Sequence, residues 1–134
     1  MLCNEILDEE KTGINISNNL NLIESKIVIM PGFIATDSNN EISNLGRGGS
    51  DYTASVMANY TNSDALEIWT DVSGVFSANP KIVKNAKPID SLSYKEAMEL
   101  SFFGAKVIYF PTLQPLVENN IPAYIKNTFD QNAN

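Results

Sequence analysis

Leu45-Gly46-Arg47-Gly48-Gly49-Ser50-Asp51-Tyr52 sets three glycines within four positions, directly ahead of a helical pattern. Beyond it Thr53, Val56, Met57 and Tyr60 recur at the spacing of one helix face. Upstream, Phe33-Ile34-Ala35 and Glu41-Ile42-Ser43 flank the polar tip Thr36-Asp37-Ser38-Asn39-Asn40, which predicts a hairpin. Downstream, Ala65-Leu66-Glu67-Ile68-Trp69-Thr70 predicts a strand stopped by Asp71-Val72-Ser73-Gly74. Strands alternating with helices in this way predict an α/β layer fold with a mainly parallel sheet.

The glycine-rich loop has two readings. Glycine allows consecutive amides to turn inward, and a following helix adds its positive dipole end, so the arrangement suits an anion. Arg47 adds a planar fork of donors matched to carboxylate or phosphate. The other reading is a tight turn in which Ser50 or Asp51 caps the helix. The spacing matches neither the P-loop lysine pattern nor the dinucleotide fingerprint.

Further out, Ile27-Val28-Ile29-Met30 is a continuous apolar run ending at Pro31-Gly32, which predicts a buried strand. Ser93-Tyr94-Lys95-Glu96 is a capping box and opens a helix carrying Tyr94, Ala97, Met98 and Leu100. Leu113 to Glu118 predicts a short helix and Ala123-Tyr124-Ile125 a last strand. Trp69 and Phe103 are expected in the core. Residues 1–25 form an acidic segment that predicts a helix or loop with little packing of its own, and 130–134 a tail.

The chain has 134 residues, the size of one domain, with 43% hydrophobic and 19% charged residues, which is a globular balance. Its net charge of −7 speaks against a nucleic-acid surface. No apolar run is long enough to span a bilayer, and Met1-Leu2-Cys3-Asn4-Glu5 lacks the pattern of a signal peptide, so a cytoplasmic location and no membrane partner are expected. A single cysteine, Cys3, excludes an internal disulfide, and the absence of histidine excludes the usual zinc sets and histidine-assisted nucleophiles. Chemistry is left to carboxylates, lysine, arginine, hydroxyls and amides. Lys81, Lys84, Lys87, Lys95 and Lys106 give residues 76–110 a local positive excess, either a solvated face or the guard of an anionic ligand. Thr70-Asp71 ends a strand, where open α/β sheets place ligands. Asp71 there can hold a ribose hydroxyl or magnesium, or bond its own turn. Lys106 can neutralise phosphate or stand on the surface.

Six segments together resemble the aspartate kinases in order and spacing. They are Pro31-Gly32-Phe33-Ile34, Leu45 to Tyr52, Ile68-Trp69-Thr70-Asp71-Val72, Leu92 to Leu100, Phe103-Gly104-Ala105-Lys106-Val107 and Asn120-Ile121-Pro122. Ile125-Lys126-Asn127-Thr128-Phe129 resembles the exit from the kinase domain. The similarity covers residues 26–129, is nearest the kinase part of bifunctional aspartokinase–homoserine dehydrogenases, and corresponds to the C-terminal, nucleotide-binding half of the domain.

The resemblance implies the amino-acid kinase fold, a three-layer α/β/α sandwich, here as a partial domain. It implies transfer of the ATP γ-phosphoryl group to L-aspartate, with Mg2+ arriving with the nucleotide and no resident metal. By position Phe33, Arg47 and Ser50 match the aspartate site, and Arg47, Gly48, Gly49 and Asp51 the reaction centre. Thr70, Asp71, Phe76, Lys81 and Lys106 match the nucleotide-binding positions. The chain departs from the pattern at Phe76, where tyrosine is common, at Asn79-Pro80-Lys81 in place of Asp-Pro-Arg, and at Tyr109-Phe110 in place of His-Pro. The family's Lys-Phe-Gly-Gly-Thr-Ser segment is not among these residues, so little kinase activity is expected of the isolated chain, together with self-association or pairing with the missing half. The alternatives are a nucleotide-binding module that acts only with a partner chain, and a glutamate or uridylate kinase.

Overall fold

The structure, a computed structural model, describes residues 7–103 and 108–130. Helix α1 (Glu9–Leu20) leads into the hairpin β1 (Ile34–Thr36) and β2 (Ile42–Asn44), then α2 (Gly49–Tyr60) and β3 (Leu66–Thr70). Helix α3 (Tyr94–Phe102), a 3-10 turn (Phe110–Leu113), α4 (Gln114–Glu118) and β4 (Ala123–Asn127) complete the order.

Each helix starts where local chemistry allows. The Asp8 carboxylate accepts from the Lys11 N–H at 2.9 Å, and Glu9 and Glu10 sit in the first turn, where the helix dipole favours negative charge. The Ser93–Glu96 box forms as expected: each side chain bonds the other residue's backbone N–H. Helix α1 buries only Gly13. There the Tyr60 ring lies so close that a Cβ would come within 2.3 Å of it.

β3 and β4 pair in parallel, with Leu66 opposite Ala123 and Thr70 opposite Asn127. Strand alternation turns Leu66, Ile68, Ala123 and Ile125 toward a core built on Ala58, Val75, Ala97, Leu113, Leu116 and Ile121. Three helices therefore cover one face of this pair. The other face carries Glu67, Trp69 and Tyr124 in the open, with Lys126 paired to Glu67 and 5.4 Å from the Trp69 ring centroid. Among the described residues this is a partial α/β/α sandwich: one helical layer, a sheet and an uncovered side.

Four expectations change. Ile27–Met30 is not a strand: it is exposed, Ile29 at 93%, and neither sheet includes it, because β1 pairs only with β2 and β3 only with β4. The parallel pairing is confined to β3 and β4, since the hairpin is antiparallel and forms a separate sheet. Trp69 is 51% exposed, as alternation puts it on the face opposite Leu66 and Ile68. Phe103 is 84% exposed, just past the last turn of α3.

Candidate anion-binding site

The turn before α2 is built by glycine geometry. Gly46 and Gly48 take φ of +71° and +73°, a region costly for side chains that carry a Cβ, and the Gly49 N–H closes the turn onto the Gly46 carbonyl at 3.1 Å. Gly48 is the N-cap residue, and no side chain caps this helix end. Ser50 and Asp51 do not cap it, because they stand inside the helix, beyond the position whose side chain can turn back on the first amides. The start of α2 thus has backbone N–H groups that no side chain caps, with Asp51 as the one acidic residue in its first turn.

Neighbouring segments press on this turn from two sides. A Cβ on Gly49 would stand 2.8 Å from the Phe33 ring, and one on Gly48 would stand 2.8 Å from Thr112 Cγ2 and 3.2 Å from Tyr109 Cβ. Gly32 packs somewhat less closely, 3.2 Å from the Ser50 Cα by the same measure. Phe33 itself adopts a φ of 74°, strained for a residue with a Cβ, and is held there by its N–H donating to Thr53 Oγ1 at 3.0 Å and its carbonyl accepting from Leu45 at 2.9 Å. Arg47 is exposed at the lip, its guanidinium carbon 5.1 Å from the Tyr109 ring centroid. Asp51 is half-buried, and the loss of water around it holds its carboxyl above the usual carboxylate range.

Phe33, Arg47, Gly48, Gly49, Ser50 and Asp51 therefore lie together. Thr70 and Asp71 lie at the tip of β3, where the Thr70 hydroxyl donates to the Asp71 carboxylate at 3.2 Å and the Thr70 carbonyl accepts from Thr128 at 2.8 Å. β3 follows α2 in the chain and packs against it. Phe76 is half-buried in a bridge with Pro88, and Lys81 is exposed in a turn where its N–H donates to Asn79. Lys106 lies outside the described residues.

Neither main groove contains these residues. One, of about 630 Å³, runs along β4 past Tyr94, Ile125 and Lys126, and the other, of about 550 Å³, lies between α1, the hairpin and α2. Among the described residues, neither groove joins the glycine turn to the tip of β3. Thr53, Tyr109 and Thr112 were not assigned to this site from sequence. Thr53 reads as one more residue of a helix face, and only folding sets its hydroxyl against Phe33.

A family model described as the amino acid kinase family matches residues 4–127. A bifunctional aspartokinase/homoserine dehydrogenase of Buchnera aphidicola is 47% identical over 122 residues, covering 91% of this chain and 15% of that protein. The lysine-sensitive aspartokinase 3 of Escherichia coli is 41% identical over 107 residues, 80% of this chain and 24% of that protein. Among solved structures, an aspartate kinase of Clostridium acetobutylicum matches with a TM-score of 0.82 at 39% identity, covering 92% of this chain and 28% of that one. E. coli aspartokinase III in complex with aspartate and ADP matches with a TM-score of 0.79 at 38% identity, covering 93% of this chain and 27% of that one. The chain spans well under a third of the length of these relatives.

Proposed function

We propose, for a chain that belongs to the amino acid kinase family and within it to the aspartokinases, that it supplies the C-terminal part of the substrate surface of an aspartate kinase. In the reaction a side-chain carboxylate oxygen of L-aspartate attacks the γ-phosphorus of ATP. The bond to the β,γ-bridging oxygen breaks, giving 4-phospho-L-aspartate and ADP. Phosphoryl transfer of this kind asks the protein for positioning and charge neutralisation more than for covalent chemistry.

The residues fit that demand. Arg47 offers a bidentate fork to a substrate carboxylate, with Phe33 and Ser50 beside it. Gly48 and Gly49 bring backbone close to the transferring group, and Asp51 orients neighbouring cations. Thr70 and Asp71 at the strand tip, with Phe76, Lys81 and Lys106, take the nucleotide, whose Mg2+ arrives as part of the substrate. The departures at Phe76 and Lys81 keep a stacking face and a charge while losing a hydroxyl and a second donor. The observation that carries the reading is the uncapped, glycine-built start of α2 with Arg47 exposed beside it. A cytoplasmic setting accords with small soluble substrates. Self-association, or pairing with the rest of a kinase domain, accords with the open sheet face.

The test measures aspartate-dependent ADP release by the chain alone and after mixing with the Lys-Phe-Gly-Gly-containing segment of an aspartate kinase. Turnover restored on mixing, and abolished by Arg47→Ala, supports the proposal. Release with glutamate or UMP but not aspartate overturns the substrate assignment. Binding of ATP–magnesium by calorimetry with no turnover in any mixture favours the second reading, a nucleotide-binding module that acts only with a partner chain.

A further inference from the structure

We propose that Tyr109 is a positioning residue for Arg47, holding the guanidinium over the glycine turn so that its donors face a bound carboxylate; the inference rests on the aspartate-kinase reading. Arginine is a long side chain, and a free one must be ordered each time it binds, which weakens binding. Here Arg47 is exposed and, among the described residues, pairs with no carboxylate. Its guanidinium carbon stands 5.1 Å from the centre of the Tyr109 ring, within the range in which an aromatic face attracts a cation.

Tyr109 is itself fixed. Its carbonyl accepts from both the backbone N–H of Thr112 at 2.9 Å and the Thr112 hydroxyl at 2.6 Å. Thr112 is buried, 5% exposed, and its methyl group and the Tyr109 Cβ bound the space beside Gly48. Gly48 thus admits the Tyr109 side chain to the loop, and Thr112 locks its backbone, leaving the ring beside Arg47. The ring face, not the hydroxyl, does the holding, so phenylalanine should substitute and leucine should not.

The experiment uses the full chain and L-aspartate as the probe. The Arg47 Nε–H resonance, identified by its loss in Arg47→Lys, is expected to carry a ring-current shift that persists in Tyr109→Phe and disappears in Tyr109→Leu. Calorimetry is expected to give unchanged aspartate affinity in Tyr109→Phe and about two- to fivefold weaker affinity in Tyr109→Leu. Equal affinity in Tyr109→Leu and the unaltered chain overturns the inference, as does equal weakening in Tyr109→Phe. Should Tyr109→Leu fail to fold, an unshifted Arg47 resonance in the unaltered chain overturns it. If the ring-current shift is present but aspartate binds neither the chain nor its mixture with the Lys-Phe-Gly-Gly-containing segment, the functional reading is overturned, and the carboxylate role of Tyr109 with it.

Discussion

The backbone N–H of Phe33 donates to the hydroxyl of Thr53 at 3.0 Å, while that hydroxyl donates onward to the Gly49 carbonyl at 2.8 Å. One side chain in the first turns of α2 therefore ties a strained residue to the glycine turn. A φ of 74° costs phenylalanine on the order of 1–3 kcal/mol, which the surrounding bonds must offset. Thr53→Val keeps the shape and removes the hydroxyl. It is expected to lower stability by about 1–2 kcal/mol, read as a shift in the urea midpoint. Aspartate affinity should fall as well, because Phe33 is then free to leave the turn. Thr53→Ser, which restores the hydroxyl, should recover most of both losses.

Asp51 makes a pH-dependent prediction whose sign follows from burial. Its carboxyl is held above the ordinary value of 3.8 by desolvation, so the folded chain keeps this proton to higher pH than the unfolded chain does. The folded state then binds more protons, and this group makes stability fall as pH rises through the interval between the two values. The cost is absent below the unfolded value and fully present above the folded one. Asp51→Asn is expected to stabilise the chain at pH 7 and to give little advantage near pH 3, measured as the gap between urea midpoints. The same substitution should reduce turnover in the reconstituted kinase, since a neutral amide orients cations poorly.

The fold was legible where a local rule decides it. The Ser93–Glu96 box, the glycine turn and the period-2 stretch 66–70 each specify their element within a few residues, and all three form. Failures came where a distant partner decides. Ile27–Met30 reads as a buried strand, yet a strand exists only against a neighbour, and among the described residues none pairs with it. Trp69 reads as core by size, but alternation in β3 had already committed Ile68 to the inside. Within the site, Arg47 and the glycines announce themselves, whereas the Tyr109–Thr112 lock depends on packing between segments about sixty residues apart and leaves no local mark.

Helix α3 should depend on its cap. Ser93→Ala removes the hydroxyl that accepts from the Glu96 N–H at 3.2 Å, and is expected to cost about 1 kcal/mol. Hydrogen bonds from the Ser93 hydroxyl and N–H hold the Glu96 carboxyl below its ordinary value of 4.5. A lowered folded value means that stability from this group is present above 4.5 and is lost as pH falls through the folded value. The difference between the unaltered chain and Ser93→Ala should therefore shrink on acidification, checked by thermal midpoints at pH 7 and pH 3.

The exposed apolar run gives the last expectation. Exposure alternates along it, with Ile27 at 76% and Ile29 at 93% against Val28 at 46% and Met30 at 47%, so one side of an extended segment points outward. Ile42 on β2 is likewise 88% exposed. Surface of this kind gains on the order of 25 cal/mol per Å² when covered, and an extended chain beside short unpaired sheet edges offers a route to cover it. The net charge of −7 opposes association between copies. The chain is accordingly expected to bind an apolar dye such as ANS at low salt, and to associate in sedimentation velocity as salt screens the repulsion. The double variant Ile27→Lys with Ile29→Lys is expected to lose most of the dye signal and to stay monomeric at the same salt. Persistence of both behaviours in that variant would locate the sticky surface elsewhere, with the open face of β3 and β4 around Trp69 the next to change.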